Sequence, residues 1–186
     1  MMKGRRSKSK KSAGVAGSLL LAHPALKDPN FQHAVILMSE HDEEGAMGVV
    51  LNHPEGRKLG ALNGDFALGP LAQVPIFRGG PVQDRQLILV AWEIRDEGFR
   101  LHFGIEPDKA GQCLADGMEV RAFLGYSGWS AGQLEHELKH NTWVVADIPE
   151  DIVQPPHDKA LWRRVLAAQG DEWRLLAEEP DDNSLN

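Results

Sequence analysis

The residues with the most chemical potential are His136, Glu137 and His140, in the run His-Glu-Leu-Lys-His. Histidines at i and i+4 share one face of a helix and can grip a zinc ion, while the glutamate activates a bound water for hydrolysis. A second candidate is Gly125-Tyr126-Ser127-Gly128-Trp129, a serine at an expected strand-to-helix turn. A nucleophile elbow needs glycine two positions either side of the serine, and Trp129 takes the second of those places. Residues 40–45 (Glu-His-Asp-Glu-Glu-Gly) gather oxygen ligands without the spacing of a calcium loop, and read as a solvated hairpin tip. Phe77-Arg78-Gly79-Gly80-Pro81-Val82 ends a strand in a glycine pair that can bare backbone N–H groups to an anion, although neither phosphate-loop pattern occurs. Cys113 is the one cysteine; it excludes an intramolecular disulfide and a cysteine zinc site, and beside Leu114 it reads as a small buried filler.

The helix that must carry the histidines decides between these chemistries. Ser130 and Gln133 form a capping box, so the spacing predicts a helix over 130–140, stopped by Asn141 ahead of a Thr-Trp-Val-Val strand. At about 100° per residue, Leu134 and Leu138 lie roughly 40° apart with Ala131 close beside them. His136 and His140 then sit opposite that apolar stripe, facing water. The extended form of the motif is absent because Thr142 and Trp143 follow Asn141, and a third ligand would have to be a distant acid such as Glu150 or Glu172. A zinc-dependent hydrolase using His136, Glu137 and His140 is therefore the alternative reading, behind a protein that binds without a metal or other cofactor.

Short apolar runs separated by Gly, Pro, Asn and Asp predict strands over 18–22, 34–39, 47–52, 76–78, 86–92, 99–104, 119–125 and 142–146. Several are rich in Val and Ile without strict alternation, the pattern of strands covered on both faces. Helices are expected over 107–115, 130–140 and 158–169, with 149–157 as a linker before the last. Helices scattered unevenly among many strands indicate an α+β or mixed α/β domain rather than a doubly wound sheet.

Of the 186 residues, 20 are Lys or Arg and 27 are Asp or Glu, and they are unevenly spread. Residues 1–12 hold six basic side chains and no acid, which leaves the rest of the chain with 14 basic against 27 acidic residues, a body near −13. So basic a tail without a core is expected to be disordered, and its contact with nucleic acid would be non-specific and salt-sensitive. The acidic body would repel a phosphate backbone, so direct nucleic-acid binding is not expected. Residues 13–22 imitate a signal peptide poorly, since Gly14, Gly17 and Ser18 dilute the run and it ends at His23-Pro24. No stretch approaches the roughly 20 apolar residues of a membrane span, and the expectation is a soluble, cytoplasmic protein. The expected organisation is a basic tail over 1–12, one domain over 13–178, and an acidic arm over 179–186.

Taken in order, these segments resemble the AlgH/YqgE family of bacterial proteins. The resemblance runs from Leu21-Ala22-His23-Pro24-Ala25-Leu26-Lys27-Asp28 and Phe31, through Glu40-His41 and Gly45-Ala46-Met47-Gly48-Val49-Val50-Leu51-Asn52-His53-Pro54. It continues at Gly79-Gly80-Pro81-Val82, at Gly125 to Trp129, and at Gly132-Gln133-Leu134-Glu135 with Glu137, Asn141 and Trp143, and ends on Ser184-Leu185-Asn186. The family commonly has methionine at the place of His23 and arginine at the place of His53, and residues 85–91 lack its usual glycine and histidine. The resemblance implies a single α+β domain whose bifurcated mixed sheet curls into a pseudo-barrel flanked by helices. It implies no established reaction, only the label of a transcriptional regulator, which fits badly with an acidic body lacking a helix-turn-helix pattern. The reading is a non-enzymatic protein, regulatory through an unknown protein or small-molecule partner. The residues expected to form its site are Asn52, Gly79, Gly80, Pro81, Tyr126, Trp129, Gln133 and Glu137, at polar and glycine-rich junctions where backbone groups can face a ligand.

Overall fold

Strands rich in Val and Ile need cover on both faces, and the computed structural model, which describes residues 14–96 and 98–178, supplies it. The basic tail over 1–12 and the arm over 179–186 lie outside the described residues. The strands are β1 (Leu19–Ala22), β2 (Val35–Asp42), β3 (Gly45–Val50), β4 (Pro54–Lys58), β5 (Pro75–Arg78), β6 (Val82–Arg95), β7 (Gly98–Phe103), β8 (Glu119–Ser130) and β9 (Trp143–Ala146). The helices are α1 (Leu59–Leu62), α2 (Pro107–Ala115), α3 (Gln133–Lys139), α4 (Lys159–Ala167) and α5 (Asp171–Ala177). Among the described residues no helix is long and apolar enough to cross a membrane.

The sheet is mixed, curls into a half-barrel and branches at β8. Its main path runs β4-β5-β8-β3-β2-β1-β9, while β6, carrying β7, pairs with β8 off that path. Residues 122–124 of β8 pair in parallel with β5, and residues 119–124 pair antiparallel with β6. Past Gly125 the strand changes partner, and Ser127–Ser130 pair antiparallel with β3. The chain that leaves β5 at Arg78 must join β6 at Val82, so Gly79–Pro81 crosses β8 there. A Cβ on Gly79 would collide with the Gly125 carbonyl, and one on Gly80 with the Tyr126 carbonyl. Gly125, at φ +76°, leaves room in return, since a Cβ there would stand 2.5 Å from the Gly80 oxygen.

Three apolar clusters follow from this branching. The largest joins Leu19, Leu37, Val49, Phe77, Trp92 and Phe123 to Leu161, Trp162, Val165 and Leu166 of α4. A nine-residue helix is marginal alone, and burial of those four side chains, worth about 1.5–3 kcal/mol for each aliphatic one, ties it to the sheet. The second cluster sets Leu134 of α3 against Leu20, Ile36, Trp129 and Trp143. The third sets Ala110 and Cys113 of α2 against Ile76, Leu89, Ala91 and Val120; Cys113 is 1 % exposed there, as a small filler should be.

Two expectations are corrected. Gly125–Trp129 is no strand-to-helix turn: all five residues lie inside β8, with Gly128 opposite Met47 of β3. The helix carrying the histidines starts at Gln133, three residues late, because Ser130 still pairs with Gly45 and Gly132 at φ +80° separates strand from helix. Half of the expected capping box survives, since the Ser130 N–H donates to Gln133 Oε1 at 3.0 Å. β4 and α5 were not expected from the sequence: β4 reads Pro-Glu-Gly-Arg-Lys along an outer edge without apolar periodicity, and α5 is a seven-residue helix that leaves Leu175 67 % exposed.

If the crossing has no space for a side chain, Gly79→Ala and Gly80→Ala are each expected to cost about 3 kcal/mol, the upper range for overpacking. In a solvent-facing control, Gly128→Ala, the new Cβ meets only side-chain atoms, the Tyr126 ring edge at 3.4 Å and Val82 Cγ2 at 3.9 Å, and the variant should lose far less. Urea unfolding of the three variants checks the difference.

Candidate functional site

The residues singled out from the sequence divide between three places. Glu137 turns inward from α3, away from the two histidines. Its Oε1 accepts from the indole N–H groups of Trp129 and Trp143, both at 2.9 Å, and its Oε2 accepts from Gln133 Nε2 at 3.0 Å. The two indoles meet edge to face with centroids 6.0 Å apart. Such a carboxylate is a structural pin, because taking a proton from a metal-bound water would cost it these bonds. His136 and His140 lie on the exposed side of the same helix with ring centroids 4.3 Å apart, as the periodicity indicated. His140 Nδ1 bonds to the His136 carbonyl at 2.8 Å. Among the described residues no three His, Cys, Asp or Glu side chains converge as metal ligands. The constellation required of a zinc hydrolase is therefore not assembled.

Asn52, 3 % exposed, is the second place. Its Oδ1 accepts from Val35 N–H at 2.9 Å, and its Nδ2 donates to the carbonyls of His33 at 2.8 Å and Asp158 at 3.2 Å. Every strong bond of the amide is spent on tying β2, the residues after β3 and the start of α4 together.

The third place is a polar groove of about 600 Å³, and here Gly80 and Pro81 form one wall. His53, Glu55, Arg78, Asn30 and Asp84 also line it. The elements set this geometry: the Arg78 N–H donates to the His53 carbonyl at 2.8 Å, so β5 holds the residue just ahead of β4. Glu55 lies between Arg57 at 2.9 Å and Arg78 at 3.6 Å. Burial holds the His53 pKa below the usual 6.5, and the Arg78 cation pushes the same way against a bond to the Gln32 backbone. The neutral imidazole and the half-shared guanidinium thus offer a ligand both donors and acceptors. Gly79 borders the crossing behind this wall, whereas Tyr126, Trp129 and Gln133 do not line the groove. Sequence reasoning found the glycine pair and missed Arg78, Glu55 and Asp84, which carry no motif; Arg78 directly before the pair was the available signal.

A family model described as AlgH-like matches residues 19–174. The chain belongs to the AlgH-like family. It is 39 % identical to a UPF0301 protein of Streptomyces coelicolor, over 94 % of this chain and 96 % of that one. Identity to a UPF0301 protein of Parabacteroides distasonis is 33 %, covering 92 % and 91 % of the two chains. The solution structure of AlgH from Pseudomonas aeruginosa is similar, with TM-score 0.63 and 28 % identity over 97 % of this chain and 99 % of that one. A crystal structure of a Corynebacterium diphtheriae protein shares the fold, with TM-score 0.70 over 89 % and 92 % of the chains at 23 % identity.

One further polar site lies inside this AlgH-like domain. Arg121, 1 % exposed, projects from β8 over the Phe77 ring at 4.7 Å and beside the Trp92 ring at 5.2 Å. Its Nε donates to Glu119 at 3.1 Å, and its Nη2 stands 3.5 Å from His157 Nδ1. Burial lowers the His157 pKa below 6.5, and the facing Arg121 lowers it further; Arg164 acts in the same sense, while Glu119 and Asp158 oppose.

Two predictions follow from these pins. Glu137→Ala strands two buried indole donors and is expected to cost about 3 kcal/mol. His136→Ala with His140→Ala should stay within about 0.5 kcal/mol of the parent, since both rings are exposed; chemical denaturation compares them. Both His53 and His157 bind protons more weakly folded than unfolded. The stability they protect is therefore complete above about pH 6.5 and is lost as the pH falls below that value towards their folded pKa values. The melting temperature should drop as the pH falls below about 6.5, and less so in His157→Gln.

Proposed function

We propose that this AlgH-like protein is a cytoplasmic binding protein with a regulatory role and no reaction of its own, and that the Gly80–Pro81 groove is where a small polar ligand is held. One observation supports the reading above the others: a turn that can carry no side chain at Gly80 forms one wall of a groove also lined by His53 and Arg78. Its volume of about 600 Å³ is that of a small-molecule site. The lining offers hydrogen-bond donors and acceptors, but no serine, cysteine or threonine to act as a nucleophile. Nucleic acid is left out of the proposal on charge, with 27 acidic against 20 basic residues in the chain. A neutral imidazole at His53 beside the guanidinium of Arg78 favours a ligand that meets both a hydrogen-bonding ring and a cation.

A thermal-shift screen of polar metabolites tests the proposal. A true ligand raises the melting temperature of the parent, and its affinity falls about tenfold or more in Arg78→Ala, the loss of one charged hydrogen bond. His53→Ala should weaken it as well. Hits indifferent to both substitutions would place the binding elsewhere and overturn the proposal, as would a screen with no hit.

A further inference from the structure

The sheet ends on β9, which pairs with β1 and with no other strand among the described residues. Antiparallel strands turn the peptide groups of alternate residues to alternate sides. The His23 N–H donates to the Thr142 carbonyl at 3.0 Å, and the register sets Leu21 against Val144 and Leu19 against Ala146. Thr142, Val144 and Ala146 therefore bond to β1, and the peptide groups of Trp143 and Val145 point out of the sheet edge, where no described strand meets them. The Val145 side chain stands beside them 43 % exposed, against 5 % for Trp143 on the same face. Such an edge is a template for another strand, and proteins ordinarily block it with charge, proline or a bulge. The other two strands with a single neighbour follow that rule: β4 carries Pro54, Glu55, Arg57 and Lys58, and β7 carries Arg100 and His102. The run Trp143-Val144-Val145-Ala146 has no ionisable group at all.

We infer that β9 is an interaction surface for a second copy of this chain, joined antiparallel about a two-fold axis at Val145. An antiparallel edge is its own complement, so one contact made symmetrically closes a dimer and leaves no strand over. In that register the two Val145 residues exchange both of their N–H···O bonds, and Trp143 pairs with Asp147 of the second copy. The exposed Val145 side chain gains an apolar neighbour in the second copy's Val145. Charge agrees with this occupant, because each Asp147 lies against a tryptophan and not against its own counterpart. The two sheets then run on as one, from β4 of one copy to β4 of the other.

Sedimentation velocity of the full chain, from micromolar to millimolar concentration, tests the pairing. The chain is expected to pass from monomer to dimer, and added salt should strengthen the association by screening the repulsion between two chains of net charge −7. Val145→Lys sets two like charges across the axis and should weaken dimerisation about tenfold or more. Its side chain is exposed, so the variant keeps the fold, which thermal melting checks. Leu68→Lys, at a leucine 101 % exposed ahead of β5, should leave dimerisation unchanged. In the dimer the Val145 N–H is expected to be protected from hydrogen exchange and to lose that protection on dilution. The inference is overturned if the chain stays monomeric at millimolar concentration, if Val145→Lys associates as tightly as the parent, or if Leu68→Lys abolishes the dimer. A dimer that salt dissolves also overturns it, since that marks the basic residues 1–12 of one copy gripping the acidic body of another. So does a protected Val145 N–H in a monomer, because the edge would then be closed within one chain.

Discussion

Everything in this fold depends on one close approach of backbone to backbone, where Gly79–Gly80 passes over β8 at Gly125. The Gly79 peptide gathers three strands: its N–H donates to the Leu124 carbonyl at 2.8 Å, and its carbonyl accepts from Val50 N–H and from Ser127 Oγ, both at 3.0 Å. A side chain on either partner would push the strands apart, and hydrogen bonds of this kind weaken steeply once their geometry is lost. Because the crossing is tight, β8 can exchange β5 for β3 as its neighbour without leaving buried peptide groups unpaired. The same crossing delivers the chain to β6 on the far side of β8. The branch of the half-barrel and the wall of the polar groove are thus two consequences of one contact.

Around that crossing, buried polar side chains act as fixed ties between elements. Glu137 joins α3 to β8 and β9 through Trp129 and Trp143, and Asn52 joins β2 to the start of α4. Each has its hydrogen-bonding capacity nearly filled, which is what makes a buried amide or carboxylate tolerable and also what fixes one register over its neighbours. His41 plays the same part at the other end of α3, accepting from Val15 N–H at 3.0 Å and bonding Glu135 at 2.9 Å. Residue types that suggest chemistry in a sequence are here spent on architecture.

That division explains what could be read from the sequence and what could not. Periodicity located the apolar strands, α2, α4 and the outward faces of His136 and His140, because burial acts on patterns several residues long. It failed at β8, where Gly125 and Gly128 signal a turn by local propensity but serve a crossing and a strand pair set by distant partners. It placed the start of α3 too early for the same reason, since the pairing of Ser130 with Gly45 is non-local. Of the groove, only the Gly80–Pro81 wall was legible. His53, Glu55, Arg78 and Asp84 come together through the β4–β5 pairing and the crossing, and no spacing along the chain announces it. Arg121 was visible in principle as a lone charge between Val120 and Ala122 in an apolar run, a position where an arginine is almost never buried without a purpose.

The motif that looked most like an active site shows why direction matters more than spelling. In a helix, neighbours in sequence point about 100° apart, so a glutamate beside a histidine serves the same reaction only if the cleft wraps around both. Here α3 lies on the sheet by Leu134, and the inward sector that receives Glu137 is closed by two tryptophans. The outward sector holding the imidazoles has solvent on it. With the carboxylate bonded to Trp129, Trp143 and Gln133 on one side and the imidazoles exposed on the other, the five residues act as two surfaces, and the inner one belongs to the core.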